Sequence, residues 1–171
     1  MLSNDKDLVE KISELKDART EYLASQKSSE APTTSSQLVS SINTANINAL
    51  DIESLTDYLI YVDTNSQTTN IYTGSKNKWS LKKSMKCSTG IENKETPSGV
   101  YTVQNRDEWF FSEKYNQGGK YWVQFDGDYL FHSLPYARDQ QTVLDETLGT
   151  PASHGCVRLS LEDSKWLYDN I

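Results

Sequence analysis

Between residues 5 and 27 the apolar positions Leu8, Ile12, Leu15 and Tyr22 recur at intervals of three and four along one stripe, with Arg19 as its polar member. That spacing predicts an amphipathic helix within a helical extension over residues 1–30, capped by Ser3 or Asn4. From 31 to 56 Ser, Thr, Asn and Gln take over, aromatic residues vanish, and Ala31-Pro32 interrupts any helix, which predicts a linker. Leu38, Val39, Ile42, Ala45 and Ala49 offer only a weak second helix there, because the interleaved Asn and Ser oppose it. After Asp57 the pattern changes to dense β-branched and aromatic residues broken by turn signals, the mark of a mostly β domain over 57–171. Tyr58–Val62 and Thr69–Thr73 flank Asp63-Thr64-Asn65-Ser66 as a hairpin, and Trp79–Cys87 reads as a third strand. Thr96-Pro97-Ser98-Gly99 is a turn leading into a strand at Val100–Val103. Tyr121–Phe125 and Tyr129–His132 form a second hairpin around Asp126-Gly127-Asp128. Asp107–Lys120, with Trp109, Phe110, Phe111 and Tyr115, reads as an irregular excursion whose aromatic residues pack in the core or on the surface, while Gly118-Gly119 leaves open a hinged lid over the cleft. Ser160 and Asp163 open a short C-terminal helix carrying Trp166, Leu167 and Tyr168.

Composition sharpens this picture in two places. Only 36% of the 171 residues are hydrophobic, and the deficit falls in the first 56, so the core is expected to lie beyond them. The net charge of −7 argues against nucleic acid or an anionic lipid surface as a partner, and no apolar run approaches the ~20 residues that span a bilayer. Two cysteines cannot build a disulfide framework, so each is read singly.

The two histidines, His132 and His154, bracket a stretch that ends in Ser153-His154-Gly155-Cys156-Val157-Arg158-Leu159. A thiol becomes a nucleophile once an imidazole accepts its proton, and a glycine beside it lets a substrate carbonyl approach main-chain N–H donors. Residues two apart on a strand share a face at ~6.5 Å, too far for His154 to hold the Cys156 proton unless Gly155 bends the chain. His132, arriving from a neighbouring strand, is free to approach. Two other readings of the same residues stay open: a buried structural thiol at Cys156, and an open zinc site built from His132, His154 and Cys156. Cys87, without a Gly or His neighbour, is expected to pack in the core, and Arg158 either meets a substrate carboxylate or points to solvent.

Phe131-His132-Ser133 followed by Ser153–Leu159, with Thr96–Gly99 upstream and Asp163–Asp169 downstream, resembles the L,D-transpeptidase catalytic (YkuD) family of peptidoglycan enzymes over about residues 57–171. The resemblance implies a β-sandwich with a short C-terminal helix, preceded here by the N-terminal helix and linker. It implies a peptidoglycan stem peptide as substrate, cut between its third residue and a fourth-position D-Ala. Cys156 would form the thioacyl-enzyme and His132 would move the protons. The Ser133 carbonyl would orient His132, and the N–H groups of Gly155 and Cys156 would hold the oxyanion. Ser153, His154 and Arg158 would line the pocket, although one common version of the motif has Asn where Arg158 stands. The same resemblance implies no metal or organic cofactor, carbapenem-type β-lactams as acylating ligands, a monomeric catalytic domain and a place outside the cytoplasm, at the cell wall or surface of a bacterium. His132 and Ser153 lie 21 residues apart, a longer gap than in many members, and the loop with Arg138, Asp139 and Asp145 is expected to wall the cleft. Members continue past the final helix into one more strand, so that strand looks absent here. Two competing functions remain: an L,D-carboxypeptidase that uses water as acceptor, and a non-catalytic cell-wall-binding protein with an inert site.

Overall fold

The computed structural model describes residues 44–171. The helical extension expected over 1–30 and most of the weak second helix lie outside the described residues. Helix α1 (Thr44–Ala49) leads into seven strands: β1 (Tyr58–Asp63), β2 (Thr68–Thr73), β3 (Ser80–Lys86), β4 (Arg106–Ser112), β5 (Gln117–Asp126), β6 (Tyr129–Ser133) and β7 (Val157–Leu159). Helix α2 (Leu161–Asn170) follows. The strands form two sheets, β1-β2-β3 and β4-β5-β6-β7, antiparallel throughout except where β6 and β7 run parallel.

The first hairpin closes as its turn residues dictate. Asp63 Oδ1 accepts the N–H groups of Asn65 and Ser66 at 2.9 and 3.3 Å, an Asx turn that replaces main-chain pairing with a carboxylate. The period of two then sends alternate side chains to opposite faces. Ile71 enters the main core with Met85, Val123, Phe125, Phe131, Val157, Leu159 and Leu167, so the two sheets and α2 share one apolar interior. Ser160 starts α2 by accepting the Asp163 N–H at 3.0 Å, and Lys83 of β3 pairs with Asp163 at 2.8 Å. The mostly β architecture and short terminal helix are therefore as the sequence predicts.

Three local expectations are overturned. The stretch read as linker through residue 56 is not all linker: Tyr72, on the outer face of β2, is covered by Trp79 and by Ile47 of α1. Asn48 fastens this contact by accepting the Trp79 N–H at 2.6 Å and donating to its carbonyl at 3.0 Å, while the indole N–H donates to the Ile52 carbonyl. Asparagine weighs against a helix by propensity, yet here its amide acts as a substitute strand neighbour. The Asp107–Lys120 excursion is a regular hairpin, with Phe110 opposite Gly119 and Phe111 opposite Gly118. Its glycines are no hinge. A Cβ at Gly118 would come within 2.4 Å of the Trp109 ring, so the space a side chain needs is already filled. Finally, Val100–Val103 forms no strand, although Val103 packs against the core and Gln104 donates its N–H to the Gln124 carbonyl.

Candidate active site

The parallel pair β6 and β7 places Phe131 beside Val157, His132 beside Arg158, and Ser133 beside Leu159. Phe131, Val157 and Leu159 belong to the core, so alternation turns His132 and Arg158 to the opposite face. Cys156 directly precedes β7, one step back from the Phe131–Val157 pair, and lies diagonally across from His132. Diagonal neighbours on adjacent strands stand about 7–8 Å apart at Cα, within reach of an imidazole.

His132 is 4% exposed. Its Nδ1 lies 2.6 Å from the Ser133 carbonyl, an acceptor only, so Nδ1 carries the hydrogen and Nε2 keeps the lone pair. The Phe110 ring meets the imidazole edge-on at 5.2 Å. Burial pushes the His132 pKa down to about 4 against the pull of the Ser133 carbonyl, and the Arg158 charge lowers it further. The imidazole is therefore neutral near pH 7. The Ser133 hydroxyl braces the same strand, accepting the Lys120 N–H at 2.9 Å and donating to the Leu134 carbonyl at 2.8 Å.

Cys156 is half-buried, and its Sγ donates to the Asp128 carbonyl at 3.7 Å. Burial raises its pKa, opposed by a main-chain hydrogen bond from Leu130 and by the Arg158 charge. Thiol and imidazole are thus both neutral at rest. Cys87 differs in kind: it is fully buried in the core, and desolvation pushes its pKa to about 11.

The residues before Cys156 are held by a short zipper. Ser88 exchanges two main-chain bonds with Arg158, each 2.9 Å, and Thr89 and Ile91 pair with Ser153 at 3.0 Å. Gly155 sits at φ +115°, and a Cβ there would come within 2.3 Å of the Tyr129 ring, so only glycine fits. Ser153 is buried and does not line an open pocket: its Oγ accepts the Gly155 N–H at 3.1 Å and donates to the Cys156 carbonyl at 2.5 Å. This corrects two expectations at once. The Gly155 N–H is engaged by Ser153 and is not presented to an oxyanion, and the Ser153 side chain builds the turn.

Arg158 also departs from both its readings, since it neither points to solvent nor lies open to a substrate. It is 4% exposed, and its Nη1 donates to Asp145 at 2.6 Å. Its Nε is buried with no hydrogen-bond partner. Asp145 is thereby tied inward. Arg138, in the same loop, forks onto Glu113 in the β4–β5 turn, and Asp139 caps its own loop through Gln141 and Thr142. His154 is half-buried and stacked on Tyr115 at 4.3 Å with the rings 12° apart. Beside Ser153, a cavity of ≈ 270 Å³ is lined by Thr89, Gly90, Glu95, Thr96 and Ser98, which brings the Thr96–Gly99 turn next to the site. The zinc alternative is not assembled: among the described residues no three His, Cys, Asp or Glu side chains converge.

Sequence reasoning missed Tyr115, Phe110 and Gly119 as parts of the site. The alternation of Trp109 with Phe111 and Phe110 with Ser112 would have marked β4, and through it the turn that delivers Tyr115 to His154.

Known proteins of similar sequence and fold identify the family. The model of the YkuD family, the L,D-transpeptidase catalytic domain, matches residues 57–171. A curated relative from Bacillus subtilis (strain 168), "Putative L,D-transpeptidase YciB", is 46% identical over 95 residues, covering 51% of this chain and 49% of the relative. The chain thus spans about half the length of that relative. Among solved structures, a fused Zn-dependent amidase/peptidase/peptidoglycan-binding domain-containing protein from Clostridium acetobutylicum ATCC 824 superposes with a TM-score of 0.63 at 30% identity, over 75% of this chain and 53% of its own. The L,D-transpeptidase LdtMt1 in complex with imipenem gives 0.54 at 16% identity, over 67% and 55%, which at that identity shows the fold alone.

Proposed function

Because the chain belongs to the L,D-transpeptidase catalytic domain family, we propose that it is a cysteine acyltransferase acting on peptidoglycan stem peptides, with Cys156 as nucleophile and His132 as its general base and acid. The observation that carries this reading is the His132 imidazole, locked by the Ser133 carbonyl with Nε2 free, on the face and strand next to Cys156. Neutral thiol and neutral imidazole make general-base attack the fitting route, in place of a standing thiolate–imidazolium pair.

The thiol first turns from the Asp128 carbonyl toward Nε2. Nε2 takes the thiol proton as Sγ bonds to the carbonyl carbon of the third stem residue. The Cys156 N–H is the donor offered to the oxyanion, since Ser153 holds the Gly155 N–H. Collapse breaks the peptide bond, His132 returns its proton to the departing D-Ala nitrogen, and a thioester remains on Cys156. An acceptor amine then attacks the thioester, gives a proton to His132, and leaves as a new amide while the proton restores the thiol. No step calls on a group outside the chain and its substrates. The stem lies in the cell wall, so the proposed site of action is extracytoplasmic, and carbapenems are the proposed acylating ligands of the same thiol.

Tetrapeptide-containing muropeptides, read by mass, test this. A cross-linked dimer supports transfer, a monomer shortened by D-Ala identifies the carboxypeptidase alternative, and no change with wild-type protein refutes both. Imipenem should add to Cys156, at a rate greatly slowed in His132→Ala and absent in Cys156→Ala. Addition at Cys87, or undiminished addition to Cys156→Ala, would overturn the assignment.

A further inference from the structure

Two lysines from separate loops converge on the Tyr115 ring, which stacks on His154, and neither forms a salt bridge among the described residues. Lys94 lies in the loop that follows Gly90, and Lys114 in the turn between β4 and β5. Their ammonium groups stand 6.0 and 5.2 Å from the centroid of the Tyr115 ring, which stacks on His154 two residues before Cys156. Both positive charges reach His154 and help hold its pKa below the ordinary value, after desolvation and together with Arg158. Two of the acids nearby are paired with arginines, while Glu95 is hydrogen-bonded to a main-chain N–H and keeps its charge. Glu113 holds Arg138 at 2.5 Å, Asp145 holds Arg158, and Glu95 accepts the Asn93 N–H at 2.9 Å. Among the described residues neither lysine takes part in a salt bridge. These two positive charges, gathered at the Tyr115–His154 stack, stand out in a chain whose net charge is −7.

We propose that Lys94 and Lys114 form a carboxylate subsite that selects peptide substrates bearing a free carboxylate close to the bond Cys156 attacks. The inference rests on the acyl-transfer reading and deepens it by naming a specificity element. The Tyr115–His154 stack offers apolar contact to the peptide, and the two ammonium groups set over the Tyr115 ring offer the counter-charge. Arg158 cannot serve instead, being buried and neutralised by Asp145. The carboxylate has two sources in a stem tetrapeptide, the D-Ala terminus and an acidic side chain, and amidation separates them.

The test is equilibrium binding to the full chain carrying Cys156→Ala, which removes turnover. Three tetrapeptides are compared: the free acid, the C-terminal amide, and the side-chain amide. At low salt one amidation should weaken binding about tenfold, the order expected for two partly exposed ion pairs, and the position that does so identifies the source. The added pair Lys94→Ala and Lys114→Ala should abolish that preference, Lys94→Arg with Lys114→Arg should keep it, and 0.5 M NaCl should shrink it. Equal affinity for acid and amides, a preference that survives the double alanine change, or no binding of any stem overturns the subsite. The underlying reading is judged separately on wild-type protein. Turnover of stems without any carboxylate preference removes only the subsite, whereas failure of both imipenem addition and D-Ala release removes the acyl-transfer reading.

Discussion

Substituting Gly119→Ala should disable the base while leaving every titratable group in place. The new Cβ would stand 2.7 Å from His132 Nδ1 and 2.7 Å from the Phe110 ring, against an ordinary contact of 3.4 Å or more. Something must move by about 0.7 Å, and in a close-packed interior the neighbours yield only in part. The imidazole has little room, because Nδ1 is held 2.6 Å from the Ser133 carbonyl and the ring is buried. Displacing it lengthens that bond and swings Nε2 off the line to Cys156. Overpacking costs about 1–3 kcal/mol of stability, and a misplacement of about 1 Å at a reacting group costs on the order of 100-fold in rate. The assay is urea denaturation together with the rate of imipenem addition read by mass. Gly127→Ala is the control, since nothing lies within 4 Å of its Cβ and only its φ of +46° opposes the change. A Gly119→Ala protein that reacts at the wild-type rate, with unaltered stability, would refute the packing argument and the role of the His132 tether with it.

Because burial holds His132 near pKa 4 while the unfolded chain binds a proton near 6.5, stability should be full above pH 6.5 and fall by about 3 kcal/mol as pH drops to 4; His132→Gln should flatten that portion of a denaturation-versus-pH curve, and an unchanged slope would contradict it. Asp145→Ala leaves the Arg158 guanidinium buried without its partner, and the loss should be about 2 kcal/mol, below that of a fully buried pair because Asp145 is 38% exposed; denaturant midpoints measure it, and no loss would show the pair to be idle. Ile47→Ala should cost about 2–4 kcal/mol by the same measurement, and a chain shortened to begin at Ser54 should lose at least as much, whereas equal midpoints would restore the linker reading of residues 44–53.

Features whose cause is local can be read from neighbouring residues alone. The Asp63–Ser66 turn and the Gly127 turn contain the residues that close them, and alternation in Tyr58–Asp63 and Thr68–Thr73 follows from the two-residue period, so both hairpins were legible. Cys156 and His132 could be picked out because few other residues carry such chemistry, and the Ser160 cap announced α2 through a side chain three residues from its partner. Features that depend on residues far apart in the chain emerge only on packing. Gly118 and Gly119 resemble a hinge until Trp109, Phe110 and His132 are seen to fill the space where their side chains would be. Asn48 resembles a helix breaker until Trp79, 31 residues on, takes both ends of its amide. Arg158 alternates like a solvent-facing strand residue, yet it is buried, bridged by the Ser88 main chain and paired with Asp145, and Lys94 and Lys114 come together only when two loops meet at Tyr115. Turn chemistry and periodicity act over a few covalent bonds and so are written in adjacent letters, whereas burial, steric exclusion and unbalanced charge are properties of a volume, and the volume exists only once distant segments have packed.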